Sequence, residues 1–236
     1  MKALDEYEIK ARYVPTFLCL IPFSNFLVMF FGHIFFENII QSISWMVIIA
    51  DLGISFIIML GLMQVQCTIA KHLIQDGIFG KGGLFFPSAT MLLYDNGLLS
   101  RDRKNQIREK LLEKTGIKLS NEKDEMSDIK NARLQAREAV NAIRNIVGHG
   151  SFTITYNIRY GFWRNLIGGS FFVFFGALLC ICFYFYTHEW KAIGFFGFYF
   201  LLFLALFLFR RHILESLGYS YADRLFSDFL SMTKGE

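Results

Sequence analysis

Four apolar runs divide the chain, and the stretch between the second and third is its only long polar region. Val14 to Phe36, Ile43 to about Val65, Leu166 to Tyr186 and Ile193 to Phe209 are each long enough to cross a hydrocarbon core of roughly 30 Å. They come as two hairpins, joined by Glu37 to Gln41 and by Thr187 to Lys191. Pro15 suits the first turn of the first run. Pro22 predicts a kink there unless a neighbour satisfies the carbonyl it frees. The pattern predicts an all-α membrane protein with four transmembrane helices in two hairpins flanking a helical cytosolic domain. Its segments are residues 1–13, hairpin 14–65, polar domain 66–165, hairpin 166–209 and an amphipathic tail 210–236.

Within the polar domain the clearest periodicity runs from Asp128 to Val147. Ile129, Ala132, Ala136, Ala139, Ile143 and Ile146 alternate spacings of three and four, which is one helix face, and its alanines admit a close helix neighbour. Lys130, Arg133, Arg137 and Arg144 fall on another strip, roughly a third of a turn away. Gly148-His149-Gly150 should end this helix, and the acidic patch Glu122 to Glu125 precedes it, where negative charge suits a helix N-terminus. Upstream, Ser100 is placed to cap a helix that runs to Lys114 and stops at Gly116. That helix carries Arg101, Arg103, Lys104 and Arg108. Gly77 to Gly83 reads as a flexible loop closed by Pro87-Ser88-Ala89-Thr90. Ser151 to Arg159 alternates and is partly β-branched, the pattern of a short strand or an extended link. In the tail, Leu214, Leu217, Tyr221, Leu225 and Phe229 share one side of a helix.

Composition supports the membrane class, with 54% apolar residues and 28 phenylalanines in 236 positions. The net charge of +4 matters less than its distribution. Lys and Arg are dense before the first run, through the middle and after the fourth, which Arg210-Arg211 closes, whereas the hairpin tips carry only Lys191. The positive-inside rule then puts both termini and the middle in the cytoplasm. The first dozen residues are charged and the apolar run after them is too long for a signal peptide core, so no cleavable leader is expected. Cys180 and Cys182, two apart on one helix, point to different sides and make neither a zinc site nor a disulfide framework.

Enzyme signatures are missing. Gly80-Lys81-Gly82 lacks the remainder of a phosphate-binding loop, His188-Glu189 lacks the second histidine of a zinc-protease helix, and no Gly-x-Ser-x-Gly turn occurs. No enzyme activity, cofactor or metal is expected. Asp51 is the most expensive residue in the spans, costing about 2.5–3.5 kcal/mol near mid-bilayer. With Ser44 and Ser55 it shares a face that either lines a pore or bonds a neighbouring helix, and Asn25 on the first span is a polar inter-helix partner. The strip of Lys130, Arg133, Arg137 and Arg144 has no matching acids on its own helix face. It suits an oligonucleotide or other polyphosphate, helped by Arg101, Arg103, Lys104 and Arg108, or anionic lipid headgroups, or it is simply a solvated face.

Several short motifs are more specific. Gly82-Gly83, Pro87-Ser88-Ala89-Thr90 and Leu92-Leu93 are followed by Lys104, Leu111-Leu112, Gly116-Ile117, an acidic patch and a helix. Tyr160-Gly161-Phe162-Trp163-Arg164-Asn165-Leu166 then leads into the third apolar run, and Lys10 to Pro15 opens the first. Most of the chain in this way resembles the membrane effectors of the bacterial Hailong anti-phage defence system, although Ser88, Ala89 and Trp163 depart from the usual residues. The resemblance implies a homo-oligomeric ion channel, encoded beside a nucleotidyltransferase, closed by single-stranded DNA oligomers and opened during infection. A tetramer is one candidate assembly. Tyr160, Trp163 and Arg164 sit where a chain enters the bilayer, a level at which aromatic and arginine side chains anchor helices. A non-conducting membrane scaffold that recruits a soluble enzyme is the competing reading, with a small-solute transporter behind it.

Overall fold

The computed structural model describes residues 6–39, 45–148 and 151–232, with side chains for 6–30, 57–148 and 152–232. Among the described residues all regular structure is helical: α1 (Val14–Ile39), α2 (Trp45–Ile69), α3 (Asp76–Phe79), α4 (Pro87–Met91), α5 (Arg101–Thr115), α6 (Glu122–Ser127), α7 (Ile129–Val147), α8 (Ser151–Gly168), α9 (Ser170–Tyr186), α10 (Trp190–Leu208) and α11 (Arg210–Ser231). Wider π-helical turns lead into α1 at Ile9–Tyr13 and continue α2 at Ala70–Gln75. Among the described residues three helical stretches, Glu6–Phe30, Ile57–Phe79 and Trp190–Leu208, are long and apolar enough to cross a membrane. A fourth results if α8 and α9, bent by 41° at Gly168-Gly169, count as one span.

The chain divides into two compact units. The apolar unit comprises Glu8–Ile74 and Phe162–Arg210, and the polar unit comprises Met1–Tyr7, Gln75–Gly161 and Arg211–Glu236. The tail helix α11 therefore belongs with the middle of the chain.

In the apolar unit α9 packs closely on α1. A Cβ on Gly176 would lie 2.7 Å from the Phe23 backbone nitrogen, so only glycine admits this approach. Pro22 lies inside α1 and cannot bond the Leu18 carbonyl. The Tyr199 hydroxyl of α10 donates to that carbonyl at 2.6 Å, which is the neighbour needed to keep an interrupted helix satisfied. Near it, the Cys180 thiol donates to the Pro22 carbonyl at 3.0 Å, and the Tyr184 hydroxyl donates to Asn25 Oδ1 at 2.9 Å. Asn25 thus ties α1 to α9 as an inter-helix partner. Cys180 is buried and Cys182 exposed, on different sides of α9.

In the polar unit the helix ends follow their caps. Ser100 Oγ accepts from the Arg103 amide, Asn121 Oδ1 from the Asp124 amide and Asp128 Oδ1 from the Asn131 amide. Gly116 closes α5 at φ +71°. The acidic patch forms its own short helix, α6, and Asp128 does the capping of α7. Ala132, Ala136, Ala139 and Ile143 of α7 are buried, and α4 is the close helix neighbour. Ile129, at the first turn, is exposed instead.

Ser151 to Arg159 corrects the expected strand or extended link, because it is the first half of α8. Its N-terminus is held from the tail. Asp228 Oδ2 accepts from the Thr153 amide at 3.1 Å and from its hydroxyl at 2.6 Å. A cap from 75 positions away outweighs the β preference of Thr153, Ile154 and Thr155.

Candidate functional site

The structure gives the basic strip of α7 and the cations of α5 different surroundings. On α5, Lys104 is 3% exposed. Its Nζ donates to the Leu93 carbonyl at 2.6 Å and also to that of Asn96. Burial pushes Lys104 below the ordinary lysine value, and Glu125 pulls it partly back. Arg108 donates to the carbonyls of Ser120 (2.6 Å) and Leu92 (2.8 Å), lies 4.1 Å over the Tyr94 ring and pairs with Glu125. Glu125, 4% exposed, also accepts the Tyr94 amide at 2.7 Å. Arg103 reaches α11, bonding Ser227 Oγ at 2.7 Å and Asp223 at 3.1 Å. Arg101 pairs with Glu122 at 2.5 Å on the surface. All four cations have intramolecular partners that fasten α5 to the 92–96 loop, α6 and α11.

On α7 the arrangement differs. Arg133 lies 4.7 Å over the Phe85 ring and 3.7 Å from Asp95. Lys130, Arg137 and Arg144 have no carboxylate partner among the described residues. Arg137 lies over the glycine loop, where a Cβ on Gly82 (φ +69°) would come 2.9 Å from its Nη1. Glycine there admits both the left-handed backbone and the guanidinium. Arg144 is exposed beside Tyr221 (5.3 Å to the ring centroid) and Phe86 (5.7 Å). Burial raises the Tyr221 phenol above its usual range, while the charge and hydrogen bond of Arg144 oppose that rise. The three cations can receive an anion without first losing an internal ion pair.

The expected membrane-level residues separate in the same way. Tyr160 is buried in the polar unit, its ring 5.3 Å edge-on to Phe86. Trp163 packs in the apolar unit against the cluster of Cys19, Leu166, Val173 and Phe203. Arg164 donates to Asn165 Oδ1 at 3.3 Å. Ser44 lies outside the described residues, as do the side chains of Asp51 and Ser55.

Sequence reasoning passed over Asn165, which is fully buried. Its Nδ2 donates to the Ala11 carbonyl at 2.6 Å, and its own carbonyl accepts from Gln66 Nε2 at 2.7 Å. One asparagine thereby joins the π-helical turn before α1, the end of α2 and α8. The signal was present in the Tyr160 to Leu166 motif, where the aromatic and arginine neighbours drew the interpretation to the bilayer interface.

Helices long and apolar enough to span a bilayer, in an all-helical chain, are consistent with the membrane-protein class. No protein-family model, curated protein or solved structure matches the chain.

Proposed function

We propose that the chain is the subunit of a homo-oligomeric membrane pore in bacterial anti-phage defence, gated through its polar unit by a nucleic-acid oligomer that a partner nucleotidyltransferase makes. In this reading the polar unit is cytosolic, both termini are cytoplasmic, and α1, α2, the bent α8–α9 pair and α10 are the four spans of two hairpins in the inner membrane. The observation that carries it is the set of Lys130, Arg137 and Arg144, cations without carboxylate partners among the described residues, in a chain with helices fit for a bilayer. The resemblance of the Gly82 to Leu93 and Tyr160 to Leu166 motifs to Hailong effectors supplies the defence setting. Phosphates neutralised by these side chains would release counterions, which favours a polyanion over a single small anion. Ser44, Asp51 and Ser55 are the proposed pore-facing set on α2.

Planar-bilayer recording of the purified chain, with and without short single-stranded DNA, tests this. Discrete conductance steps that the oligonucleotide changes are the expected result, and Asp51→Asn should alter cation conductance. A silent bilayer, with the chain still inserted, would favour the scaffold reading.

A further inference from the structure

The C-terminal end of α7, the first two turns of α8 and the middle of α11 line a half-open cavity of about 230 Å³ in the polar unit. Arg144, Asn145, Thr153, Asn157 and Tyr221 supply its polar and aromatic lining, above a buried floor at Leu225. Its chemistry is mixed in a particular way. Arg144 brings a guanidinium without a carboxylate partner among the described residues, whereas the carboxylate behind Thr153, Asp228, is already held by Arg224 at 3.0 Å. The cavity therefore favours a negative group at the Arg144 side. Asn145 and Asn157 are exposed side-chain amides, each offering both a donor and an acceptor. An anion alone uses only donors. A nucleobase edge uses both, and paired donor and acceptor groups on one asparagine are what such an edge recognises. The volume is below the usual range of roughly 300–1,000 Å³ for pockets that enclose a whole drug-sized ligand, so an oligomer can enter it only by one unit.

We infer that this cavity receives the terminal nucleotide of a strand, with the end phosphate on the Arg144 guanidinium and the base edge on Asn145 and Asn157. The inference rests on the nucleic-acid reading above and adds to it that the protein recognises a strand end. Lys130 and Arg137, two to four turns back along α7, would then take phosphates farther along the same strand.

The test compares a short linear, 5′-phosphorylated single-stranded DNA with a covalently closed circle of the same sequence, both titrated against the full-length chain in detergent, together with dAMP as a one-nucleotide probe. The linear strand should bind about tenfold tighter than the circle or better, and Asn145→Ala/Asn157→Ala should abolish that preference and weaken dAMP binding by a similar factor. Both asparagines are exposed, so the double variant should fold as wild type does, which hydrogen exchange of α7 and α8 amides checks. Equal binding of line and circle overturns the end-recognition site and leaves the polyanion strip standing. If neither strand binds while dAMP binds to wild type and is lost in the double variant, the cavity is a mononucleotide site and the polyanion reading falls. If neither strand nor dAMP binds, both fall.

Discussion

Two helices of the polar unit carry four cations each along the positions singled out from the sequence, and they use them differently. On α5, Lys104 is buried and Arg108 only slightly exposed, and they hold backbone carbonyls and Glu125, while Arg101 and Arg103 pair with acids on α6 and α11. On α7, Arg133 alone approaches an acid, at 3.7 Å, and Lys130, Arg137 and Arg144 have none among the described residues. The difference teaches that a basic helix face is informative about ligands only after its internal acceptors are known. A cation that satisfies carbonyls in the fold is structural, because withdrawing it to meet a phosphate would strand those carbonyls.

This contrast predicts opposite responses to mutation. The largest effect belongs to Arg108→Met. It leaves Glu125 charged, buried and without its guanidinium, and removal of one partner of a buried pair costs about 3–5 kcal/mol. Hydrogen exchange at α5 and α6 amides should accelerate accordingly; protection unchanged from wild type would place Arg108 in the same class as the α7 cations. Lys104→Met comes next. It strands the carbonyls of Leu93 and Asn96, at about 1–3 kcal/mol, read as lost protection in the loop that precedes α5. Arg103→Ala should cost less, about 0.2–1 kcal/mol, since Asp223 is more than half exposed and solvent screens the pair. It should loosen α11 against α5, which proteolysis of the tail would report. Arg137→Ala/Arg144→Ala breaks no ion pair but gives up the contacts of Arg144 with Phe86 and Tyr221, so its loss should stay at about 0.5–1 kcal/mol by the same exchange measurement. A loss as large as that of Lys104→Met would show the α7 strip to be structural as well.

Much of the helical plan was legible locally. The caps at Ser100 and Asp128, the stop at Gly116 and the alanine face of α7 all act within one or two turns, so the sequence carries them on its surface. The Pro22 problem was legible too, but its solution, the Tyr199 hydroxyl on the Leu18 carbonyl, comes from 181 residues away. The same distance effect hides the start of α8 and the partners of the α5 cations. α8 is helical from Ser151 because Asp228 caps it across 75 positions, which no local propensity contains. The partners of Lys104 and Arg108 on α5 were not legible because most are backbone carbonyls, whose direction depends on the folded chain at 92–96 and at Ser120. Asn165 was visible as a member of a motif, but its place between Ala11 and Gln66 needed the packed apolar unit.

The most direct test of the central claim, that α7 and not α5 presents the ligand-facing cations, is the salt dependence of single-stranded DNA binding by the wild-type chain and by Arg137→Ala/Arg144→Ala. Each phosphate contact on a single strand contributes about 0.7 to the slope of log affinity against log salt. The double variant should therefore bind more weakly and lose about 1.4 from that slope per subunit engaged, while Arg101→Ala, whose side chain is paired with Glu122, keeps the wild-type slope. Parallel slopes and equal affinities for wild type and the α7 double variant would contradict the account, leaving the strip a solvated face.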